Sequence, residues 1–501
     1  MNKTDFDKRR VYNVDFKLSG EDLLEVKCNL LVLGRFEGEA IKGSVKKIDE
    51  ALGGALSRTS QGEKFNGELG KGVMINTLGK ISAERVLLIG LGKKQKFSSD
   101  VLRKVGIFTV KRAKPFSENI AFGFAVDGKK ENVSALIEGI MLGGYEFNKY
   151  KTNDKKWEGI KNIKFVSSGI RERNFKDDLE YASIISEATN FARDLINEPP
   201  VVLTPTKLSE IAKEIALKEK LECKIFSKGE MEKKGMGGLL AVSRGSDEPP
   251  KFIHLTYKPK GSIKKAVAVV GKGITFDSGG LCIKPRDSMR TMKGDMSGAA
   301  CVLGVMKAIS RLKPPLKVHG LISATENMPG ARAYKPDDII RALNGKTIEV
   351  IDTDAEGRIV LSDALSYAIE LKVDEIVDLA TLTGACVVAL GDYTAGVMGN
   401  NERLINRIIK AAKLEGEKVW QLPMDDELRK EIESDVADVK NVGSRFGGAI
   451  TAAMFLEKFV GDTPWVHLDI AGPAFIEKGG EWYPKGATGF GVRTIIRYLL
   501  S

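Results

Sequence analysis

KTIEVIDTDAEGRIVLSDALSYAIELKVDEIVDLATLTG, residues 346–384, reads as strand, charged turn, helix and strand. Thr347, Ile348, Val350 and Ile351 form a β-branched, apolar run that leads into Asp352, Asp354 and Glu356, with Arg358 just behind. Side chains of an extended chain alternate between faces, so these four charged positions, all of one parity, are expected to converge. Three carboxylates held close repel one another unless positive charge sits among them. A single arginine is a poor match for three, and a bound divalent cation is the economical counter-charge; a solvated loop after a strand is the alternative.

The same alternation extends upstream. KAVAVVGKG is a strand and turn, SGAACVLGVMKAISRL a helix of small and apolar residues, KVHGLISATEN a strand, and PDDIIRALNG a helix closed by Gly345. Strands separated by helices of ten or more residues imply a largely parallel sheet covered on both faces. Ligands gather beyond the carboxyl ends of such strands, where every polar cluster of this half falls. In the first half CNLLVLGRF, ERVLLIGLG and ENIAFGFAV read as short buried strands followed by turns and helical segments, again an α/β pattern. Gly90 and Gly92 suggest a phosphate-binding turn, but Gln95 stands where the third glycine belongs, and a packing turn is the better reading. Composition shifts to Lys, Asn, Asp and Glu between Tyr145 and Lys176, around a strand at Ile160 to Val166 followed by Gly169. Apolar residues at helical spacing from Asp177 to Ile196 then predict a helix that ends before Pro199 and Pro200. The expectation is two α/β domains, each a mostly parallel or mixed sheet flanked by helices: 1–172, and 173–501 with residues 173–197 as a bridging helix.

With 501 residues, 43% of them hydrophobic and 29% charged, the chain is a multidomain globular protein. The net charge of +11 favours polyanions, yet the lysines are scattered and no nucleic-acid motif accompanies them. Cys28, Cys223, Cys282, Cys301 and Cys386 are odd in number and widely spaced, against both a disulfide framework and a thiolate zinc site. The charged N-terminus MNKTDFDKRR and the absence of a long apolar run predict a cytoplasmic protein without a membrane span.

After the strand Lys265 to Val270 comes GKGITFDSGGLCIKP, then MKGDMSGAA. Lys272, Asp277, Lys284 and Asp295 stand among Gly271, Gly273, Gly279, Gly280 and Gly294, which allow tight turns. Neither dinucleotide nor Walker A spacing is met, because Phe276 occupies the needed glycine position and Lys272 is not followed by Ser or Thr. Asp277, Asp295, Asp354 and Glu356 together are oxygen donors suited to Mg²⁺, Mn²⁺ or Zn²⁺. Four carboxylates exceed the need of one ion, so a pair about 3.5 to 4 Å apart, holding a hydroxide between them, is the better reading. A lysine beside such a pair either ligates as a neutral amine or points an ammonium at developing oxyanion charge, and the sequence offers one for each.

VGKGITFDSGG, MKGDMSGAA and above all DTDAEGR resemble the signature blocks of leucyl aminopeptidases, the dinuclear metallo-exopeptidases of the cytosol. The likeness continues through NGKTIEVIDTDAEGRIVLSDAL, DLATLTGA, HLDIAGPAF and GATGFGVR, from about Asn197 to the C-terminus. It implies hydrolysis of the N-terminal residue from peptides, a variable amino domain, a catalytic carboxyl domain and a homo-hexamer. Carried over, it makes Lys272, Asp277, Asp295 and Glu356 ligands of a tighter Mn²⁺ or Zn²⁺ ion. Asp277, Asp354 and Glu356 would hold a more exchangeable one. Lys284 would stabilise the oxyanion, and Arg358 would hold a bicarbonate that shuttles the proton. His254, His319 and His467 lie in or beside apolar strand-like segments and read as packed rather than catalytic. Asp352 departs from the commoner asparagine and is expected to pair with a neighbouring cation. Met292, Thr381, Gly384, Ala471 and Ala474 resemble the walls of a pocket for Leu or another apolar first residue, with ordinary core packing as the alternative for Met292 and the alanines. Gly447 and Gly448 read as helix-packing glycines. A DNA-binding regulator, motivated by charge, and a nucleotide-dependent transferase, motivated by glycine-rich turns, are the competing functions.

Overall fold

The computed structural model describes residues 14–115, 118–124, 130–152, 159–166, 170–483 and 485–501. The expected strand ENIAFGFAV therefore runs into residues outside the described ones at 125–126, as do the N-terminal decapeptide and Gly169. The chain divides into two compact units, Met1–Glu187 with Gly480–Trp482, and Ala188–Gly479 with Tyr483–Ser501.

In the first unit the strands β1 (Asp15–Ser19), β2 (Cys28–Arg35), β3 (Gly72–Asn76), β4 (Ala83–Gly90), β5 (Asn119–Phe122) and β6 (Asn162–Val166) form one sheet, ordered β1-β6-β5-β2-β4-β3. Only β3 runs antiparallel to its neighbour among these described strands. Alternation along the strands splits the apolar residues between two faces. Leu30, Val32, Leu87 and Ile89 pack with residues of α3 (Ser99–Ala113) and α4 (Lys130–Gly143), while Leu31, Leu33, Val86 and Leu88 pack with residues of α1 (Gly43–Ala51) and α2 (Ala55–Gly62). Helix α5 (Glu172–Asn197) runs across the division between the units.

The second unit is built on an eight-stranded mixed sheet. Its strands are β7 (Glu222–Phe226), β8 (Lys251–Tyr257), β9 (Ala266–Asp277), β10 (Lys317–Asn327), β13 (Glu375–Ala380), β14 (Thr394–Gly399), β15 (Lys418–Gln421) and β17 (Trp465–Asp469), in the order β15-β14-β17-β13-β9-β10-β8-β7. The four middle strands are mutually parallel and nearly wholly buried. A small sheet of β11 (Ile339–Arg341), β12 (Thr347–Glu349) and β16 (Val439–Lys440) and a two-stranded pair, β18 (Phe475–Ile476) with β19 (Gly486–Ala487), complete the strands. The helices are α6 (Pro205–Glu219), α7 (Lys228–Lys234), α8 (Gly237–Val242), α9 (Arg286–Met289), α10 (Ser297–Leu312), α11 (Glu356–Glu370), α12 (Gly384–Leu390), α13 (Glu402–Glu415), α14 (Gly448–Glu457) and α15 (Val492–Leu499).

Three local expectations are corrected. PDDIIRALNG is not a helix: Ile339–Arg341 is a strand antiparallel to β12, and Asn344-Gly345 closes a hairpin with Gly345 at φ +88°. A short turn that ends in a left-handed glycine, with the Ala342 N–H bonded to the Lys346 carbonyl, joins two antiparallel strands. KTIEVIDTD contributes only Thr347–Glu349 as strand, in the small sheet rather than the main one. Gly271 and Gly273 lie inside β9, not in a turn. A Cβ on Gly271 would meet the carbonyl oxygen of Gly298 at 2.5 Å, so this glycine lets the start of α10 lie against the strand. No described helix is long and apolar enough to cross a membrane.

Candidate metal and catalytic centre

The centre lies at the carboxyl ends of the parallel strands. Lys272 and Asp277 come from β9, Asp295 from the turn before α10, and Asp354 and Glu356 from the turn that opens α11. The extended-chain argument for residues 352–358 is therefore corrected. Asp352 to Ala355 form a turn, and Glu356, Gly357 and Arg358 are the first helical residues. Convergence arises from that turn and the helix start, not from strand parity.

Thr353 fixes the turn. Its hydroxyl donates to the carbonyl of Gly279 at 2.7 Å and accepts from the Cys282 N–H at 2.8 Å. Its carbonyl accepts from Asn327 Nδ2 at 3.0 Å and from the Tyr334 hydroxyl at 2.6 Å. Asn441 grips the other side, accepting from the Ile351 N–H at 2.7 Å and donating to the Asp352 carbonyl at 2.6 Å. Gly279 and Gly280 have φ of +87° and +64°, so the loop after β9 turns back on itself as the glycines predict. Asp277 Oδ1 is occupied by the Gly279 N–H and Asn327 Nδ2, both at 2.8 Å, which leaves Oδ2 facing the cluster.

Asp277, Asp354 and Glu356 each offer an oxygen, all within 4.8 Å of one another. Two ammonium groups sit among the acids. Lys272 Nζ lies 2.8 Å from Asp295 Oδ1 and 2.8 Å from Glu356 Oε1, and donates to the Thr381 carbonyl at 3.0 Å. Lys284 Nζ lies 2.9 Å from Asp277 Oδ2 and 2.6 Å from Asp354 Oδ1. Burial favours the neutral amine of Lys272, but the charges of Asp295, Glu356 and Asp277 outweigh it and raise its pKa. Lys284 is raised in the same way, chiefly by Asp277 and Glu356. Burial pushes Glu356 up to about 8 and Asp295 up to about 6, with neighbouring carboxylates adding to the shift. Asp354 is raised as well, by burial and by Asp277.

Four carboxylates with two ammoniums remain an excess of buried negative charge. Asp295 Oδ2 and Glu356 Oε2 have no hydrogen-bond or ion-pair partner, and Glu356 Oε1 and Asp354 Oδ1 have only the ammoniums of Lys272 and Lys284 beside them. Buried polar atoms are nearly always partnered, so orphaned carboxylate oxygens facing one spot mark a cation site. The donor set fits divalent ions that take oxygen and nitrogen ligands. Lys272 would add a nitrogen only after losing its proton, which makes metal loading proton-releasing.

The remaining expected residues are placed as follows. Arg358 is buried, donates to the Asn441 carbonyl at 2.6 Å and keeps an unpartnered Nε; burial lowers its pKa to about 10 against the charges of Glu356, Asp469 and Asp352. Asp352 does not form the expected ion pair among the described residues. One of its oxygens instead accepts the Asp354 N–H at 2.8 Å, the local turn bond typical of aspartate. Thr381 is joined to the cluster, donating to Asp295 Oδ1 at 2.8 Å. Met292 lies in the short turn just before Asp295, Gly384 opens α12, and Ala471 and Ala474 follow β17, with Ala474 buried. Gly448 places its Cβ position 3.2 Å from the Ala385 side chain, consistent with a packing glycine. His319 and His467 are buried, and His467 pairs with Asp378 at 2.6 Å. All five cysteines are free.

Sequence reasoning missed Asn327, Tyr334, Asn441 and Gly357. A Cβ on Gly357 would meet Lys272 Cε at 2.5 Å, so this glycine makes room for the lysine. Asn327 at the carboxyl end of a buried strand was the available signal; nothing local marks Asn441, which reaches the turn from 89 residues away.

Sequence and fold both match known proteins. The model of the cytosol aminopeptidase family's catalytic domain matches residues 190–496, and that of its N-terminal domain residues 32–154. A probable cytosol aminopeptidase of Sulfurihydrogenibium sp. is 50% identical over 97% of this chain and 98% of its own length. One from Aquifex aeolicus is 48% identical over 96% and 97%. Among solved structures, a mutant of tomato leucine aminopeptidase superposes with a TM-score of 0.89 at 36% identity, covering 97% of this chain and 96% of its own. The bottromycin maturation enzyme BotP in complex with Mn superposes with a TM-score of 0.84 at 34% identity, covering 94% and 99%.

Proposed function

The chain belongs to the cytosol aminopeptidase family and is a hydrolase of the aminopeptidase type, and from that premise we propose that it removes Leu or another apolar residue from peptide N-termini with two divalent ions, Mn²⁺ or Zn²⁺, per subunit. The observation that carries the reading is the cluster of Asp277, Asp295, Asp354 and Glu356 that three separate chain segments bring around two lysines, with oxygens of Asp295 and Glu356 left unpartnered. When bound there, the ions supply an activated water and Lewis-acid polarisation of the scissile carbonyl.

Lys272, Asp277, Asp295 and Glu356 hold one ion, and Asp277, Asp354 and Glu356 the other. Asn327 and the Gly279 N–H orient Asp277 so that one oxygen remains for this task. Lys284 supplies a fixed positive charge where oxyanion charge develops, held in place by Asp277 and Asp354. Arg358, with its Nε unpartnered, would hold a bicarbonate, which would supply a proton-accepting group beside the site. Thr381, Met292, Gly384, Ala471 and Ala474 wall the pocket of the departing residue. Residues 173–501 carry the chemistry, 1–172 form the variable amino domain, and the working form is a cytoplasmic homo-hexamer.

Incubation of the purified protein with a leucyl chromogenic amide tests the reading. Release of the chromophore with Mn²⁺, its loss after chelation and its return on metal addition are expected. No metal-dependent release in any dipeptide or amide panel would overturn it. The charge of +11 supports a separate interaction with polyanions; duplex binding with a steep salt dependence tests it, and no retention at low salt dismisses it.

A further inference from the structure

Asp469 ends β17 beside Ala380, the last residue of β13. It is fully buried and forms no ion pair among the described residues. Burying a carboxylate is costly unless donors surround it, and here every donor comes from a loop. Asp469 Oδ1 accepts the N–H of Leu382 at 3.2 Å and that of Ala471 at 3.2 Å. Oδ2 accepts the Thr383 hydroxyl at 2.7 Å. The Thr383 oxygen accepts the Cys386 N–H at 3.0 Å and so caps α12. One carboxylate thus ties together the loop after β13, the loop after β17 and the start of α12.

The tied loop also touches the metal cluster. Thr381, just before Leu382, accepts from Lys272 at 3.0 Å and donates to Asp295 at 2.8 Å. Four consecutive residues therefore have defined tasks: Thr381 on the cluster, Leu382 and Thr383 on Asp469, and Gly384 opening the helix. Arg358 and His467 feel its charge from farther off, but every hydrogen bond it accepts comes from a loop group, which makes positional rigidity a use of this buried carboxylate.

We propose that Asp469, acting through Thr383, is a positioning residue that sets the shape of the pocket for the first side chain of the peptide. This rests on the aminopeptidase reading. Asp469 touches no reacting atom. Its effect is to hold Thr381 and Gly384 on one wall and Ala471 on the other at a fixed separation, so that an apolar side chain of one size is favoured.

The test uses Asp469→Asn, Thr383→Val and Thr383→Ser in the full-length, Mn²⁺-loaded protein, with two readouts. Asn keeps an acceptor for the two backbone N–H groups but cannot accept from Thr383 through its amide nitrogen; Val removes the hydroxyl while leaving Asp469 intact. The first readout is hydrogen exchange by mass spectrometry over 381–391 and 470–475. Faster exchange in Asp469→Asn and Thr383→Val, with wild-type rates restored in Thr383→Ser, is expected. The second is the ratio of kcat/KM for leucyl over alanyl amides, expected to fall about tenfold in the first two variants through KM and to recover in the serine variant. Unchanged exchange, or faster exchange with an unaltered ratio in an active enzyme, overturns the proposal. If Asp469→Asn does not fold, the two Thr383 variants decide alone. Wild-type protein inactive on every amide would sink the aminopeptidase reading, while the exchange data would still decide whether the clamp exists.

Discussion

Lys272 and Lys284 are chemically alike and separated by twelve positions, yet the structure gives them different surroundings. Lys272 is enclosed between Asp295, Glu356 and the Thr381 carbonyl, whereas Lys284 faces the more exposed Asp354. Lys284→Ala is therefore expected to keep bound metal while kcat falls about 10²- to 10³-fold, the usual cost of losing one oxyanion-stabilising group. Asp354→Ala is expected to lower metal occupancy instead, by metal analysis after dialysis. Equal metal loss in both variants would contradict the assignment. Gly357→Ala offers a sharper test. Alanine inside a helix normally gains up to about 1 kcal/mol over glycine, but here its methyl group would collide with Lys272. Loss of tight metal binding is expected in spite of the better helix former, and unchanged metal affinity would show that the lysine is not confined there.

At the scale of elements, the four parallel strands deliver one group of polar residues to their carboxyl ends while their middles are buried. Two histidines sit on neighbouring strands β8 and β10, away from that end. His254 Nε2 lies 2.8 Å from His319 Nδ1, and His254 also meets the Tyr367 hydroxyl at 3.2 Å. Burial lowers His254 to about 4 and His319 to about 3, with nearby lysines and, for His319, the partner imidazole adding to the shift. For a base whose folded pKa is depressed, the unfolded chain takes up protons first. The stability this pair contributes is thus fully present above the unfolded value near 6.5 and is lost as pH falls from about 6.5 towards 4. A denaturant midpoint that drops over this window, and drops less in the His254→Phe, His319→Leu double variant, is the expected result. Equal slopes in both proteins would exclude the pair as a source of acid sensitivity. His467 has the opposite sign, since Asp378 and Asp469 raise its pKa against the effect of burial.

For the whole molecule, a metal bound at the carboxylate cluster would also be a stability element, because the cluster draws together β9, the turn before α10 and the start of α11. An ion that binds only the folded chain stabilises it by about 2.7 kcal/mol at a hundred times its Kd. A rise in Tm of roughly 3 °C with saturating Mn²⁺, reversed by chelator, is therefore expected by calorimetry. No shift would contradict a preformed site. Much of this was legible in the chain. The strand and helix periods gave the two α/β units, since burial on both faces of a parallel strand leaves a continuous apolar run and a covering helix leaves a spaced one. The cluster was legible too: Lys272, Asp277, Asp295, Asp354 and Glu356, which the structure brings together, stand out because lysines and acids among glycines after apolar strands have no packing use. Local sequence failed where a short segment obeyed a distant partner. Ile339–Arg341 became a strand because β12 pairs with it, and residues 352–358 became a turn and helix start because Asn327, Tyr334 and Asn441 hold them. Periodicity and residue chemistry are properties of neighbours along the chain, so the sequence by itself determined the α/β class and the carboxylate-and-lysine inventory. Which oxygens stay unpartnered, which lysine each acid faces and how Asp469 ties two loops depend on contacts between segments up to about ninety residues apart, and only the tertiary structure decided those.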